Sequence, residues 1–335
     1  MNEKIDFVVT WVDGNEPNWQ NEKKETLKKE GLDTSKIDLR VNRFRDMECL
    51  KYWFRGVEQY APWVNKIYFV TCDQKPEWLN ENNKKIVLVN HKDYIPEEYF
   101  PTFNSNAIEI MMHKIKGLSE EFVYFNDDMF LINKVNPSHF FKNGLPVDTM
   151  SFHPIEPKGN DKRFYLQLCN NMEIINKYYN FKKFVKNNIL KCFSFKQGKH
   201  LPITAIFCGL TSFRGFYTYH LPIPYLKTTF EELWEKEEEV LSQTMTYRFR
   251  NNEKNVNHWI FQFWQFASGK FYQRSTSFGK YCEIVDKDIE KLILNSKIKT
   301  ICINDSSDQC DFELEKKKLI NIFEKKFPNK STFEK

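Results

Sequence analysis

No stretch of this 335-residue chain approaches the ~20 consecutive apolar residues of a membrane-crossing helix, so any contact with a bilayer is expected to be peripheral. The chain starts MNEKIDF and runs straight into a strand-like segment, without the basic stretch and apolar run of a signal peptide. None of its eight cysteines forms a CxxC pair, and most lie in apolar settings such as Ile301-Cys302-Ile303. That pattern favours buried thiols in a reducing compartment over disulfides or zinc, and so a cytoplasmic protein. The patterns GxGxxG, GxxxxGK followed by Ser or Thr, HExxH and GxSxG are all missing, which removes the motifs of dinucleotide, P-loop, zincin and serine-hydrolase sites. No internal repeat is visible. The charge balance, 50 Lys and Arg against 45 Asp and Glu, is too even to suggest a nucleic-acid partner.

What is present is a set of four apolar runs that each end on polar groups. Ile5 to Val12, Lys66 to Thr71, Lys85 to Val89 and Phe122 to Phe125 read as buried strands, delivering Asp13, then Asp73, then Asn90 and His91, then Asn126, Asp127 and Asp128. In an open α/β sheet, parallel strands finish on one edge and ligands bind beyond it. Asn15-Glu16-Pro17 opens a charged helix to about Gly31, and Leu50, Trp53, Phe54 and Val57 mark an amphipathic helix over Asp46 to Tyr60. Asn106 with Glu109 resembles a capping box for a helix whose buried face is Ile108, Met111, Met112 and Ile115.

The expected fold is therefore α/β, with helices on both faces of the sheet. Residues 1–155 form its N-terminal half, 156–200 a helical insertion or lid with a helix from Met172 to Leu190, and 201–335 a C-terminal half that completes one catalytic domain. Residues 201–226 carry one formal charge, Arg214, and read as buried loops and short strands. Thr228 and Thr229 with Glu231 and Glu232 can cap a helix, and Trp259, Phe263 and Phe266 form another helical stripe. Lys316 to Lys318, Leu319, Ile320, Phe323, Lys325 and Lys326 can make a basic amphipathic helix, suited to packing or to a membrane surface.

Asp127 and Asp128 suit Mg²⁺ or Mn²⁺ bridging diphosphate oxygens, because hard cations take a few carboxylate oxygens and leave room for substrate. The plainer reading is a turn closed by an Asp side chain, which applies equally to Asp13 before Gly14. Arg43, Arg45 and Asp46 could bind phosphate or form a solvated ion pair, and Arg248 and Arg250 could share a side of an extended segment. Among the histidines, His220 stands in a stiff apolar setting beside Pro222 and Pro224, where imidazole can act as a base near neutrality. His91 is a comparable candidate, and His258 is expected to cap or face its helix.

Taken together, IDFVVTWVDGNEP (5–17), NRFRDMECLKYWFRGVEQYAPWVNKIYFVT (42–71), PTFNSNAIE (101–109) and FVYFNDDMF (122–130) resemble the first two signature regions of the Stealth family of sugar-1-phosphate transferases. YHLPIPYLK (219–227) through TYRFRNNEKNVNHWIFQFWQF (246–266) resembles the third, and ICINDS (301–306) the fourth. The resemblance implies a GT-A-like fold, a role in capsule or cell-surface polysaccharide synthesis, and a nucleotide-sugar donor. It implies that Asp13, His220 and Arg250 serve catalysis, that Arg43, Asp46, Asn104, Asn126 and Asn304 hold the donor, and that Asp127, Asp128 and Asp305 hold metal. The implied acceptor is an oligosaccharide, typically polyprenyl-diphosphate-linked, whose hydroxyl is deprotonated by His220 or Asp13 and attacks phosphorus, releasing UMP from a UDP-sugar. The rival on the same fold is a glycosyltransferase, in which the hydroxyl attacks C1 and UDP leaves. The chain is short beside capsule polymerases with N-terminal extensions, which favours single transfer.

Overall fold

The computed structural model describes residues 4–31, 45–156, 162–251, 253–305 and 310–335, with backbone alone at 162 and 163. In chain order the strands and α-helices begin with β1 (Ile5–Thr10), α1 (Pro17–Glu30), α2 (Leu50–Tyr60), β2 (Ile67–Thr71), β3 (Ile86–Asn90), α3 (Ser105–Ile110) and β4 (Glu121–Asn126). There follow β5 (Met129–Leu131), β6 (Phe141–Lys142), β7 (Leu145–Asp148), α4 (Lys162–Tyr178), α5 (Phe181–Asn187), α6 (Ile189–Cys192) and α7 (Leu201–Phe207). The chain continues through β8 (Ile223–Leu226), α8 (Lys227–Thr246), α9 (Trp259–Ser268), β9 (Tyr272–Gln273), β10 (Gly279–Glu283), α10 (Ile289–Asn295), β11 (Thr300–Asn304) and α11 (Phe312–Lys326).

The five-stranded sheet has the order β3-β2-β1-β4-β8. Its first four strands are parallel, with Phe7 opposite Ile67, Ile67 opposite Ile86, and Thr10 opposite Asn126, so all four end on one edge as the apolar runs predict. Alternation along β1 sends Phe7 and Val9 into one core and Val8 into the other, so both faces are covered. On the first face lie α2 and α11, and on the second α3, α4, α8 and α9. Gly56 marks a close approach on the first face: a Cβ there would stand 2.7 Å from the carbonyl oxygen of Leu131.

β8 runs antiparallel to β4, pairing Glu121 with Leu226 and Tyr124 with Ile223. That reversal decides where the next functional group goes. The start of β8 lies beside the end of β4, so His220, just before it, is returned to the same sheet edge.

Several sequence expectations shift. α3 begins two residues before the predicted capping box, because Asn104 rather than Asn106 accepts the first free amide. The single helix expected over Met172 to Leu190 is three, since Asn180 and Asn188 break it and Asn180 caps α5. Leu201–Phe207 is helical, and Ile206 faces outward, against the reading of a buried loop. α8 has no side-chain cap of its own; the Glu120 carboxylate accepts from its Thr228 amide at 3.3 Å. Residues after 161 are not a loose flap: Leu168, Met172 and Ile175 of α4 belong to the same core as the sheet, and Asn171 donates to Asn257 at 2.7 Å. Finally, the apolar stripe of α11 is spent inward, with Leu319 and Phe323 buried and Phe323 stacked on Tyr52, so this helix has little left for a membrane.

Candidate active site

At the carboxyl ends of β1 and β4 a cleft of about 570 Å³, open to solvent, is lined by Arg45, Asp46, Asp127, Asp128, Asn304 and Asp305 over an apolar wall of Val12, Met47 and Leu50. Asp127 and Asp128 form the turn between β4 and β5, where the chain leaves the central sheet for the three-stranded sheet β10-β11-β5. The amide of Ile303 donates to the Asp128 carbonyl at 2.9 Å, which clamps this turn to β11 and carries Asn304 and Asp305 to the opposite wall.

Four carboxylates therefore face one guanidinium among the described residues lining the cleft. The strain is visible in their protonation. Burial, then the neighbouring Asp128 and Asp46, pushes the Asp127 carboxyl well above its ordinary range. Asp46 is pushed up by burial as well, although it accepts from the Glu48 amide at 2.8 Å and from Trp11 Nε1 at 3.2 Å. Asp128 Oδ1 and Asn126 Oδ1 are buried without a hydrogen-bond partner. Unpaired buried oxygens beside crowded carboxylates are what a hard divalent cation satisfies, so the donor set fits Mg²⁺ or Mn²⁺.

Asp128, His220 and Cys302 each bring a ligand atom within 4.8 Å of the other two. Cys302 Sγ donates to Asp128 Oδ2 at 3.4 Å, and burial pushes this thiol well up, so the sulfur acts here as a donor to the carboxylate. Asp305, expected as a metal ligand, has both oxygens on Arg45, one of them 2.7 Å from Nη2. Its charge is met by a guanidinium that also lies over the Phe312 ring at 3.9 Å. Asp305 thus holds Arg45 at the wall of the cleft.

His220 has φ +47°, a left-handed backbone that costs a non-glycine residue about 1 kcal/mol or more. Its Nε2 lies 3.2 Å from Asn126 Nδ2, and its ring stacks on Tyr281 with centroids 5.9 Å apart. Because Asn126 Oδ1 has no other partner, rotation of this amide can serve either protonation state of the imidazole. Tyr281 in turn accepts from Asn304 Nδ2 at 2.9 Å, which joins His220 to the far wall.

The remaining expected residues sit close by in supporting positions. Asp13 closes a turn onto the Asn15 amide at 2.9 Å and is near enough to Asp46 to raise its pKa. Arg250 donates to Ser105 Oγ at 3.0 and 2.6 Å and faces Glu109, one layer behind the cleft. Asn104, expected to hold donor, is fully buried, and its amide donates to the Tyr247 carbonyl and to Asn255 at 3.0 and 3.2 Å. It ties α3 to the segment that carries Arg250. Arg43 lies outside the described residues.

The ends of β2 and β3 do not reach the cleft. Asp73 pairs with Lys92 in solvent at 3.2 Å, Asn90 caps a turn, and His91 is buried beneath it with its pKa pulled down to about 4 by that burial. His258 starts α9 but caps nothing with its ring; its Nδ1 meets the Tyr225 hydroxyl at 2.9 Å and burial pulls its pKa down to about 3. Sequence reasoning had Arg45 in view without carrying it into the site, and passed over Cys302 and Tyr281. The β11-β5 pairing brings Cys302 to the cleft, and the β10-β11 pairing sets Tyr281 beside it.

The profile described as Stealth protein CR1, conserved region 1, matches residues 3–31, and Stealth protein CR2, conserved region 2, matches 43–148. A capsular polysaccharide phosphotransferase, WcwK of Streptococcus pneumoniae, is 45% identical over 99% of this chain and 98% of its own. The receptor polysaccharide phosphotransferase WefC of Streptococcus oralis is 41% identical over 99% of each chain, and the exopolysaccharide phosphotransferase cps2G of Lactiplantibacillus plantarum is 38% identical over 99% and 96%. Among solved structures, the galactosyltransferase LgtC in complex with donor and acceptor sugar analogues aligns over 96% of this chain and 95% of its own, at 8% identity and a TM-score of 0.41, a likeness too loose to argue from.

Proposed function

The chain belongs to the Stealth family of capsular and exopolysaccharide phosphotransferases, enzymes that transfer phosphate-containing groups, and we propose that it moves a sugar-1-phosphate from a UDP-hexose or UDP-N-acetylhexosamine to a glycan hydroxyl. The observation that carries this reading is the meeting of Asp127, Asp128, Arg45 and His220 at one edge of the sheet: anion-binding and proton-accepting groups around a single cleft.

Asp127 and Asp128 are the residues to hold Mg²⁺ or Mn²⁺, and the ion would supply Lewis-acid neutralisation of diphosphate oxygens. Arg45, held in direction by Asp305, donates to the same diphosphate as a planar fork. Asn304 lines the wall where the nucleotide or sugar lies. His220, kept in place by Asn126 and Tyr281, accepts the proton of the attacking hydroxyl. Attack at phosphorus leaves the sugar's anomeric bond intact and releases UMP. Most of the rate comes from alignment and charge neutralisation.

The acceptor in this reading is a polyprenyl-diphosphate-linked oligosaccharide at the cytoplasmic membrane face. Buried thiols at Cys49, Cys192, Cys282 and Cys302 support a reducing compartment. No described helix is long and apolar enough to cross a membrane. Incubation with UDP-sugar, acceptor glycan and Mg²⁺, followed by identification of the nucleotide, tests the reaction: UMP is expected, and UDP without UMP in a complete reaction overturns it in favour of attack at C1.

A further inference from the structure

From Ile174 to Phe230 the chain contains no Asp or Glu, yet it holds eight lysines and Arg214. Fifty-seven residues with nine positive charges and no negative one stand out in a protein that otherwise has nearly balanced signs. Ten large apolar side chains are exposed among the described residues, and six of them, Tyr178, Ile189, Leu190, Phe193, Phe195 and Ile206, fall inside this segment, the last five from α6 through α7. They include the three most exposed: Phe195 at 91%, Leu190 at 86% and Ile206 at 72%.

Those last five side chains share one small module, because α5 packs on α6, α6 on α7, and α7 on the turn Phe195–His200. The module is fixed to the body rather than hanging from it. Phe181 and Phe184 are buried against Phe152, Lys196 Nζ donates to the Gln273 carbonyl at 2.9 Å, and Gln197 is fully buried. Lys182, Lys183, Lys186 and Lys199 are exposed around the apolar tips. Apolar side chains rimmed by lysine match a surface with anionic headgroups above hydrocarbon.

We propose that the α5–α7 module is the membrane-docking surface of this protein, inserting Leu190, Phe195 and Ile206 at the headgroup boundary of an anionic bilayer. Its position suits that task. His200 at the base of the module packs on Tyr217 with ring centroids 4.3 Å apart, Tyr217 packs on Tyr219 at 4.6 Å, and the next residue is His220. A docked bilayer would therefore stand beside the proton-accepting side of the cleft. This assignment replaces α11, whose apolar stripe is buried, and does not depend on which bond the enzyme makes.

The test is co-sedimentation of the full chain with vesicles of phosphatidylglycerol and phosphatidylcholine in equal parts, and with phosphatidylcholine alone. Binding to the anionic vesicles is expected, weakening at least ~10-fold with 0.5 M salt, and weakening similarly in Leu190→Glu/Phe195→Glu/Ile206→Glu with an unchanged melting temperature. Lys182→Ala/Lys183→Ala/Lys186→Ala reports the charged rim without touching the apolar tips and is expected to lose anionic selectivity. Equal vesicle binding by wild type and both variants overturns the proposal. So does a wild-type dimer that the triple glutamate variant dissolves while no vesicles are bound, since the face would then pair copies of the chain. Activity on a water-soluble acceptor is expected to persist in both variants, which separates failure here from failure of the phosphotransfer reading.

Discussion

The guanidinium of Arg45 grips the carboxylate of Asp305 across 260 residues of sequence, fastening the segment ahead of α2 to the end of β11 and pointing a cation into an acidic cleft. Arg45→Ala removes the phosphate-binding fork and takes from Asp305 the guanidinium that meets its charge beside three other carboxylates. Turnover is expected to fall at least ~10²-fold with a raised KM for the nucleotide sugar. Arg45→Lys is expected to recover little of this, because an ammonium cannot make the two parallel bonds. Steady-state kinetics with varied donor measures both.

His220→Ala is expected to lower kcat at least ~10²-fold with donor affinity within a few-fold of wild type, as befits a proton acceptor. His220→Gly separates backbone from chemistry. At φ +47° glycine relieves strain, so this variant is expected to be inactive and yet no less stable than His220→Ala. Donor titration and thermal melts on the two variants give the comparison.

Chelation is expected to abolish turnover, and Mg²⁺ or Mn²⁺ to restore it while raising the melting temperature by binding the folded state. In Asp127→Asn and Asp128→Asn that thermal shift should be lost. Asp127→Asn should also be more stable than wild type without metal, because one of the crowded charges is gone. A full metal-induced shift in both variants would remove these residues as ligands.

Burial pushes the Glu109 carboxyl from its ordinary 4.5 up to about 7, although Arg250 and the Tyr124 hydroxyl pull the other way. The folded protein therefore holds this proton where the unfolded chain has released it. The contribution of this one group to stability is lost as pH rises from about 4.5 through about 7, on the order of 3 kcal/mol. His258 and His113, both pulled down to about 3 by burial, act oppositely: their contribution is present above 6.5 and is lost as pH falls toward 3. Urea titrations from pH 4 to 8 should place the maximum near 6, and Glu109→Gln should flatten the alkaline side.

Removal of residues 315–335 is expected to unfold the protein rather than test membrane binding. Arg55 of α2 makes two 2.8 Å bonds to Glu334, and Leu319, Phe323, Phe327 and Phe333 are buried in the core beneath α2. Circular dichroism of the truncated chain should show loss of cooperative melting.

The central sheet was legible because four buried strands make apolar runs whose polar ends need no partner to be recognised. Asp127 and Asp128 were legible for the same reason, as adjacent carboxylates at a strand end. Arg250 and Asn104 show the limit: polarity marked them, but nothing local tells a group facing a cleft from one tying two segments together behind it. The α5–α7 module was harder still. Phe195 and Leu190 read like any core residues until their exposure is known, and the helix through Met172 to Leu190 hid its breaks because Asn180 and Asn188 count as breakers only once they cap something. α11 misled in the opposite direction, since an amphipathic stripe does not say what it lies against.

The turn at Asp127 and Asp128 is clamped by a strand that arrives more than 170 residues later, through the Ile303 amide. During synthesis the first four strands can pair long before that clamp exists, so a nascent chain would own most of its scaffold and none of its cleft. Catalytic competence is thereby deferred until β11 has left the ribosome and found β5, a late long-range closure of the kind that slows folding. A sugar donor meeting the half-made protein would find two unrestrained aspartates and nothing to align it.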